Sequence, residues 1–138
     1  MAEYLAFAKD HILLVGAAAA LIIIIIVSEL RRARRPWHDA EPAAAVRLMN
    51  AGAQLLDLRG HDAYRSGHIV NARHLPMDEL AAKADKLDKN TPVIVYCDSG
   101  VSSTRAAEQL VKLGFVDVWQ LRGGLAAWKR DNMPVAKA

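Results

Sequence analysis

The stretch Val93-Ile94-Val95-Tyr96-Cys97-Asp98-Ser99-Gly100-Val101-Ser102-Ser103 decides how the chain is read. Val93 to Tyr96 is a continuous apolar run, three of its four residues β-branched. That is the pattern of a central parallel strand covered on both faces. A helical stripe of Ala106, Ala107, Leu110 and Val111 follows, with Ser102 or Ser103 as its cap and Gly114 at its stop. Cys97 thus stands at the carboxyl end of a buried strand, where open α/β sheets bind ligands. Asp98, Ser99, Gly100, Val101, Ser102 and Ser103 form a short segment around a glycine. Such a segment can curl with its N–H groups inward, and a nest of this kind behind a helix N-terminus stabilises an anion. The anion here is the Cys97 thiolate, and the consequence is a better nucleophile. The plain alternative is a buried, inert thiol.

Outward from this centre, strands and helices alternate. Pro42 suits a first helical position, with Val46 and Met49 on a stripe that ends at Asn50 or Gly52. Gln54–Leu58 reads as a strand. Asp78 is expected to cap a helix with Leu80, Ala84 and Leu87 on one face. Val116–Leu121 alternates like a strand, and Gly123-Gly124 turns into a last helix containing Trp128. The order predicts an α/β domain: a small parallel sheet flanked by helices.

The N-terminal part is of another kind. Ile12–Val27 is sixteen residues without a charge and includes five consecutive isoleucines. As a helix it spans roughly 24 Å, against roughly 30 Å of bilayer hydrocarbon. Ser28 and Leu30 extend it. Apolar on every face, it reads as one N-terminal transmembrane helix over residues 12–30. The positive charges Arg31, Arg32, Arg34 and Arg35 follow the run, whereas in a cleaved signal peptide they precede it. The positive-inside rule then puts residues 1–11 outside, residues 31–40 as a basic juxtamembrane linker, and residues 41–138 in the cytoplasm at the cell inner membrane. Gly16 and Ala20 form a small-xxx-small pair.

Charge and cysteine content narrow the chemistry. The formal net charge is +3, yet from Pro36 onward 13 Lys and Arg face 12 Asp and Glu. The basic character belongs to the arginine cluster beside the apolar run, which points to a bilayer partner through residues 12–30 and to no nucleic acid. One cysteine excludes an internal disulfide and a multi-thiolate zinc site.

Val95-Tyr96-Cys97-Asp98-Ser99-Gly100, Ala106-Ala107, Leu110, Gly114-Phe115, Val118, Leu121, Gly123-Gly124 and Trp128 together resemble the rhodanese family. Asp57-Leu58-Arg59, Tyr64, Gly67-His68-Ile69, Ala72 and His74-Leu75-Pro76 match that family's first half, so the likeness runs from about Ala40 to Pro134. The one-helix layout also looks like membrane-anchored single-domain rhodaneses. The resemblance implies a sulfurtransferase in which Cys97 carries a sulfane sulfur as a persulfide. It implies a sulfur donor, a thiol acceptor, a membrane or sulfur-trafficking protein partner, and neither metal nor organic cofactor. With no second cysteine, the sulfur must leave to an external acceptor.

Ser102 stands where the family carries an Arg that binds anionic donors, and Asp98 sets a negative charge beside the thiolate. This departure implies weakened thiosulfate turnover. It also opens an alternative, a low-activity or inactive rhodanese module that serves as a membrane-tethered protein-interaction domain. Ser103 stands where the related phosphatases need the Arg of Cys-x5-Arg, which argues against phosphate-ester hydrolysis. Matched to the family, Asp57, Arg59 and Asp62 read as structural, with Arg59 pairing a carboxylate near the sheet end. His68 reads as satisfying a local backbone group, and His74 as lying near the mouth of the site.

Overall fold

The computed structural model describes residues 1–137 and divides into two units, Met1–Arg35 and the chain from Pro36 onward. The first unit is α1 (Ala2–Asp10) and α2 (Ile12–Ala33), with none of their residues buried. At 22 residues α2 is about 33 Å long, longer than the apolar run because Glu29 and the first arginines continue the helix. It is long and apolar enough to cross a bilayer, a property that a signal sequence near an N-terminus shares.

In the second unit the elements follow in the order β1 (His38–Ala40), α3 (Pro42–Asn50), β2 (Gln54–Asp57), α4 (His61–Ser66), β3 (His68–Ile69), β4 (Arg73–His74), α5 (Leu80–Lys83), β5 (Val93–Tyr96), α6 (Val101–Lys112), β6 (Val118–Leu121), α7 (Gly124–Arg130) and β7 (Val135–Ala136). Five strands form one parallel sheet in the order β1-β6-β5-β2-β4. A two-stranded antiparallel ribbon, β3 with β7, stands apart from it.

The central strand explains its own composition. Val93 and Val95 face a core with Leu56, Leu80, Ala84, Ala106, Leu110 and Phe115. Ile94 and Tyr96 face the other core, with Ala45, Leu55, Ile69, Leu125 and Trp128. All four residues of β5 are fully buried. Burial of each such side chain contributes about 1.5–3 kcal/mol, so a strand with two dry faces has no polar position to spare.

Three local expectations are corrected. Residues 38–40, read as linker, form the edge strand that pairs with β6 through His38–Trp119 and Ala40–Leu121. Three residues are too few to show a period. The helix expected after Asp78 is three short pieces, 3-10 turns over Met77–Glu79 and Ala84–Lys86 around α5, and Asp78 makes no capping bond. Its apolar face is as expected, with Leu80 and Ala84 buried in the first core and Leu87 packed against it. The strand read from Val116 begins at Val118, since Val116 is exposed and its N–H bonds Lys89.

Candidate functional site

Cys97 follows β5 directly and is buried, with 7% of its surface exposed. Asp98, Ser99 and Gly100 form the turn that follows, and Asp98 and Ser99 are exposed. The N–H of Gly100 donates to Cys97 Sγ at 3.1 Å. Gly100 adopts φ +99°, a left-handed conformation that strains any residue with a side chain, and it caps α6. The expected nest is thus one amide on the sulfur rather than a ring of them. The expected cap is also corrected. Val101, Ser102 and Ser103 are not loop but the first turn of α6, because the left-handed glycine turns the chain early. Ser102 is exposed there, as is Arg105.

The floor of the turn is built by the diglycine. Leu125 N–H donates to Cys97 O at 2.8 Å and Ala126 N–H to Asp98 O at 3.1 Å. The carbonyls of Cys97 and Asp98 are thereby tied to the first turn of α7. This docking needs a bare backbone. Gly124 has φ +61°, and a Cβ there would fall onto the Cys97 carbonyl oxygen and 2.8 Å from Asp98 O. At Gly123, a Cβ would stand 2.7 Å from Ala127 Cβ.

On one flank lies a buried charged cluster. Asp57 is fully buried at the end of β2 and paired in register with Tyr96. Its carboxylate accepts Tyr96 O–H at 2.6 Å, Arg59 N–H at 2.9 Å and Arg59 Nη2 at 2.8 Å. Tyr96 in turn accepts the Ile69 N–H at 3.0 Å. Burial, then the Asp57 carboxylate, push the Tyr96 phenol far above its ordinary value. Burial works against the Arg59 charge, but the hydrogen bonds and charge of Asp57 outweigh it and raise Arg59 above its ordinary value. The same guanidinium reaches Gly67 O and, at 3.4 Å, the Asp98 carboxylate. Arg59 thus pairs carboxylates at the sheet end, and one of them belongs to the cysteine turn.

His68 and His74 are each bonded to a backbone carbonyl. His68 Nδ1 lies 2.8 Å from Tyr64 O and His74 Nε2 2.7 Å from Arg59 O, so each ring nitrogen facing a carbonyl carries the proton. Tyr64 stacks on His68 at 3.9 Å and on His74 at 4.6 Å. Asp62 lies exposed in the first turn of α4. Asn71 is left-handed at φ 69°, a conformation asparagine tolerates.

On the other flank a polar chain runs through the core. The hydroxyls of Ser103, with no exposed surface, and Thr104 both lie within hydrogen-bond distance of Gly100 O and Gln120 Oε1, and Gln120 Nε2 donates to Asp39 at 2.7 Å. No sequence motif marks Gln120 or Asp39. The available signal was a glutamine at an inward position of β6, between the buried Val118 and Leu121.

Residues 41–131 match the family model of the Rhodanese-like domain. A thiosulfate sulfurtransferase GlpE of Coxiella burnetii is 45% identical over 78 residues, 56% of this chain and 73% of its own length. The protein of the same name from Vibrio cholerae is 34% identical over 93 residues, 67% of this chain and 88% of its own. A rhodanese-related protein of Thermoplasma volcanium, known from its crystal structure, aligns with a TM-score of 0.68 at 27% identity, over 74% of this chain and 100% of that one.

Proposed function

The chain belongs to the rhodanese-like domain family, and on that premise we propose that it is a membrane-anchored sulfurtransferase whose Cys97 carries sulfane sulfur as a persulfide. The observation that carries this reading is the Gly100 N–H aimed at Cys97 Sγ at 3.1 Å, at the end of a strand buried on both faces. The amide donates to the sulfur that attacks the donor and that later departs from the acceptor's persulfide.

The Cys97 thiol first loses its proton to solvent. The thiolate attacks the outer sulfur of a donor such as thiosulfate. The Sγ–S bond forms, the donor's S–S bond breaks, and sulfite leaves with the bonding electron pair. In the second step an external thiolate attacks the terminal sulfur of the persulfide. It departs as a new persulfide, and Cys97 returns as thiolate. Charge and electrons balance in each step, and no second cysteine is required.

Residues 12–30 anchor the domain in the cell inner membrane, with residues 1–11 outside and the arginine cluster and domain in the cytoplasm. The order of charges around the apolar run supports this over a cleaved signal. The sulfur donor, the thiol acceptor and a membrane or sulfur-trafficking protein partner are then met at the membrane surface.

Intact mass of the full chain, purified without reductant and then treated with thiosulfate, mercaptopyruvate or a persulfide donor, tests the reading. The expected result is a gain of one sulfur on Cys97, lost on addition of a thiol. Absence of the adduct with all three donors would overturn it. A second reading, a tethered interaction module without turnover, is favoured by Ser102 in place of the family Arg. A Cys97→Ser variant that preserves the cellular phenotype of the wild type would select it.

A further inference from the structure

We propose that Ser103, Thr104 and Gln120 are positioning residues for the Cys97 sulfur, acting through the carbonyl of Gly100. The proposal rests on the reading of Cys97 as the sulfur carrier and adds to it the residues that aim the amide.

The Ser103 and Thr104 hydroxyls lie 3.1 and 3.0 Å from Gly100 O, and each lies 3.0 Å from Gln120 Oε1. A hydroxyl bonding back to the preceding turn is ordinary at the start of a helix. The glutamine is what sets this arrangement apart. Gln120 is 7% exposed, and its amide nitrogen donates to the Asp39 carboxylate on the edge strand. A carboxylate only accepts, so Asp39 dictates that the amide N–H2 faces β1 and that Oε1 faces the hydroxyls. Two hydroxyl protons then meet two acceptors, Gly100 O and Gln120 Oε1, and one proton serves each.

The consequence falls on Gly100. Its carbonyl is held from the α6 side while its own N–H points at Sγ. Gly100 at φ +99° and ψ −2° is the hinge between these two peptide planes. As the N-cap residue, Gly100 also gives its carbonyl to the first backbone bond of α6, and the two hydroxyls add to that hold on a residue with a wide choice of conformations. The chain Asp39–Gln120–Ser103/Thr104–Gly100 therefore converts the rigidity of two neighbouring strands into the direction of one amide.

The test uses the full chain in detergent micelles. Three quantities are measured: the Gly100 amide proton resonance, the rate of Cys97 alkylation by iodoacetamide near neutral pH, and the thermal midpoint. In Ser103→Ala/Thr104→Val the Gly100 resonance is expected to move, and alkylation to slow about ten-fold, the scale of one lost hydrogen bond to a charged group. Thr104→Ser keeps the hydroxyl and is expected to retain both readouts, whereas Thr104→Val and Gln120→Met shift them partially. A lower thermal midpoint with the Gly100 resonance and the alkylation rate unchanged overturns the proposal, because a merely structural network behaves that way. Should the double variant fail to fold, Thr104→Val against Thr104→Ser decides by the same readouts. None of these measurements needs turnover, so failure of the sulfur-carrier reading shows separately, as a missing adduct on the wild type.

Discussion

The Arg59 guanidinium lies 3.4 Å from the carboxylate of Asp98, the residue next to the candidate nucleophile. Arg59 is itself held by Asp57 at 2.8 Å and is 7% exposed, so its charge stays in place while the Asp98 side chain is 76% exposed. The negative charge that the sequence sets beside the thiolate is thus partly countered by a fixed cation. Asp98→Asn is expected to change stability by less than about 1 kcal/mol, since a pair with one exposed partner is well screened. The same variant is expected to raise kcat/KM for thiosulfate by about three-fold, through relief of the residual repulsion of the anionic donor. Steady-state kinetics alongside urea denaturation check both, and a large stability loss would contradict the exposed geometry.

Ser102 occupies the first turn of α6 with its side chain exposed. An arginine there starts from an exposed position and supplies the charge-assisted donors that the family's Arg offers to anionic donors. Ser102→Arg is expected to raise kcat/KM for thiosulfate about ten-fold or more, the value of a charge-assisted hydrogen bond to the donor. No gain with thiosulfate, in a variant that folds normally, would mean that anion binding does not limit the reaction.

Tyr96 titration gives a pH signature. Burial and Asp57 raise the phenol in the folded state, so the folded form holds its proton where the unfolded form has lost it. The sign follows: this contribution is complete below the unfolded phenol value of about 10 and declines as the pH rises above it. Unfolding free energy of the wild type is expected to fall between pH 10 and 11.5. In Tyr96→Phe that slope is shallower, while stability near neutral pH drops by about 2 kcal/mol for the lost bond to a buried carboxylate. Denaturant titrations across this range provide the comparison, and equal alkaline slopes would contradict the assignment.

Gly124 is one of the points at which α7 touches the cysteine turn. A Cβ there meets the carbonyls of Cys97 and Asp98, in a backbone conformation unfavourable to alanine. Gly124→Ala is expected to cost about 3 kcal/mol or more, from overpacking together with backbone strain. Cys97 should also lose sulfur loading even in the folded fraction. Urea denaturation and intact mass report the two effects, and a well-folded, fully loaded variant would show that the turn does not depend on this contact.

The helix α2 carries a prediction about location. The full chain is expected to remain in alkali-washed membranes, and a chain starting at Pro36 to be released. Protease added from the outer side should leave the domain intact. A processed N-terminus found by mass after α2 would instead identify the helix as a cleaved signal.

Some of this was open to reading in one dimension. Val93 to Tyr96 announced a strand with two dry faces, because only a layer of helices on each side removes every polar position from a strand. Gly100, Gly114 and the diglycine announced turns, since left-handed backbone favours glycine and all four have positive φ. Other features had no local signal. His38–Ala40 is a strand only because β6 is there to pair with it. Ser103 reads as a helix cap because serine is common there, while its hydroxyl in fact lies inside the core between Gly100 O and Gln120 Oε1.

By itself, the sequence determined that the domain is an α/β parallel sheet flanked by helices, where the apolar helix lies, and which atom is the candidate nucleophile. Each of these depends on period, charge order or a single residue type, all local properties. The tertiary structure alone decided that Asp98 is met by Arg59, 39 positions away, and that Gln120 stands behind Gly100 with Asp39, 81 positions away, behind it in turn. Such partners are brought together by strand order in the sheet, and strand order is a consequence of packing the whole chain.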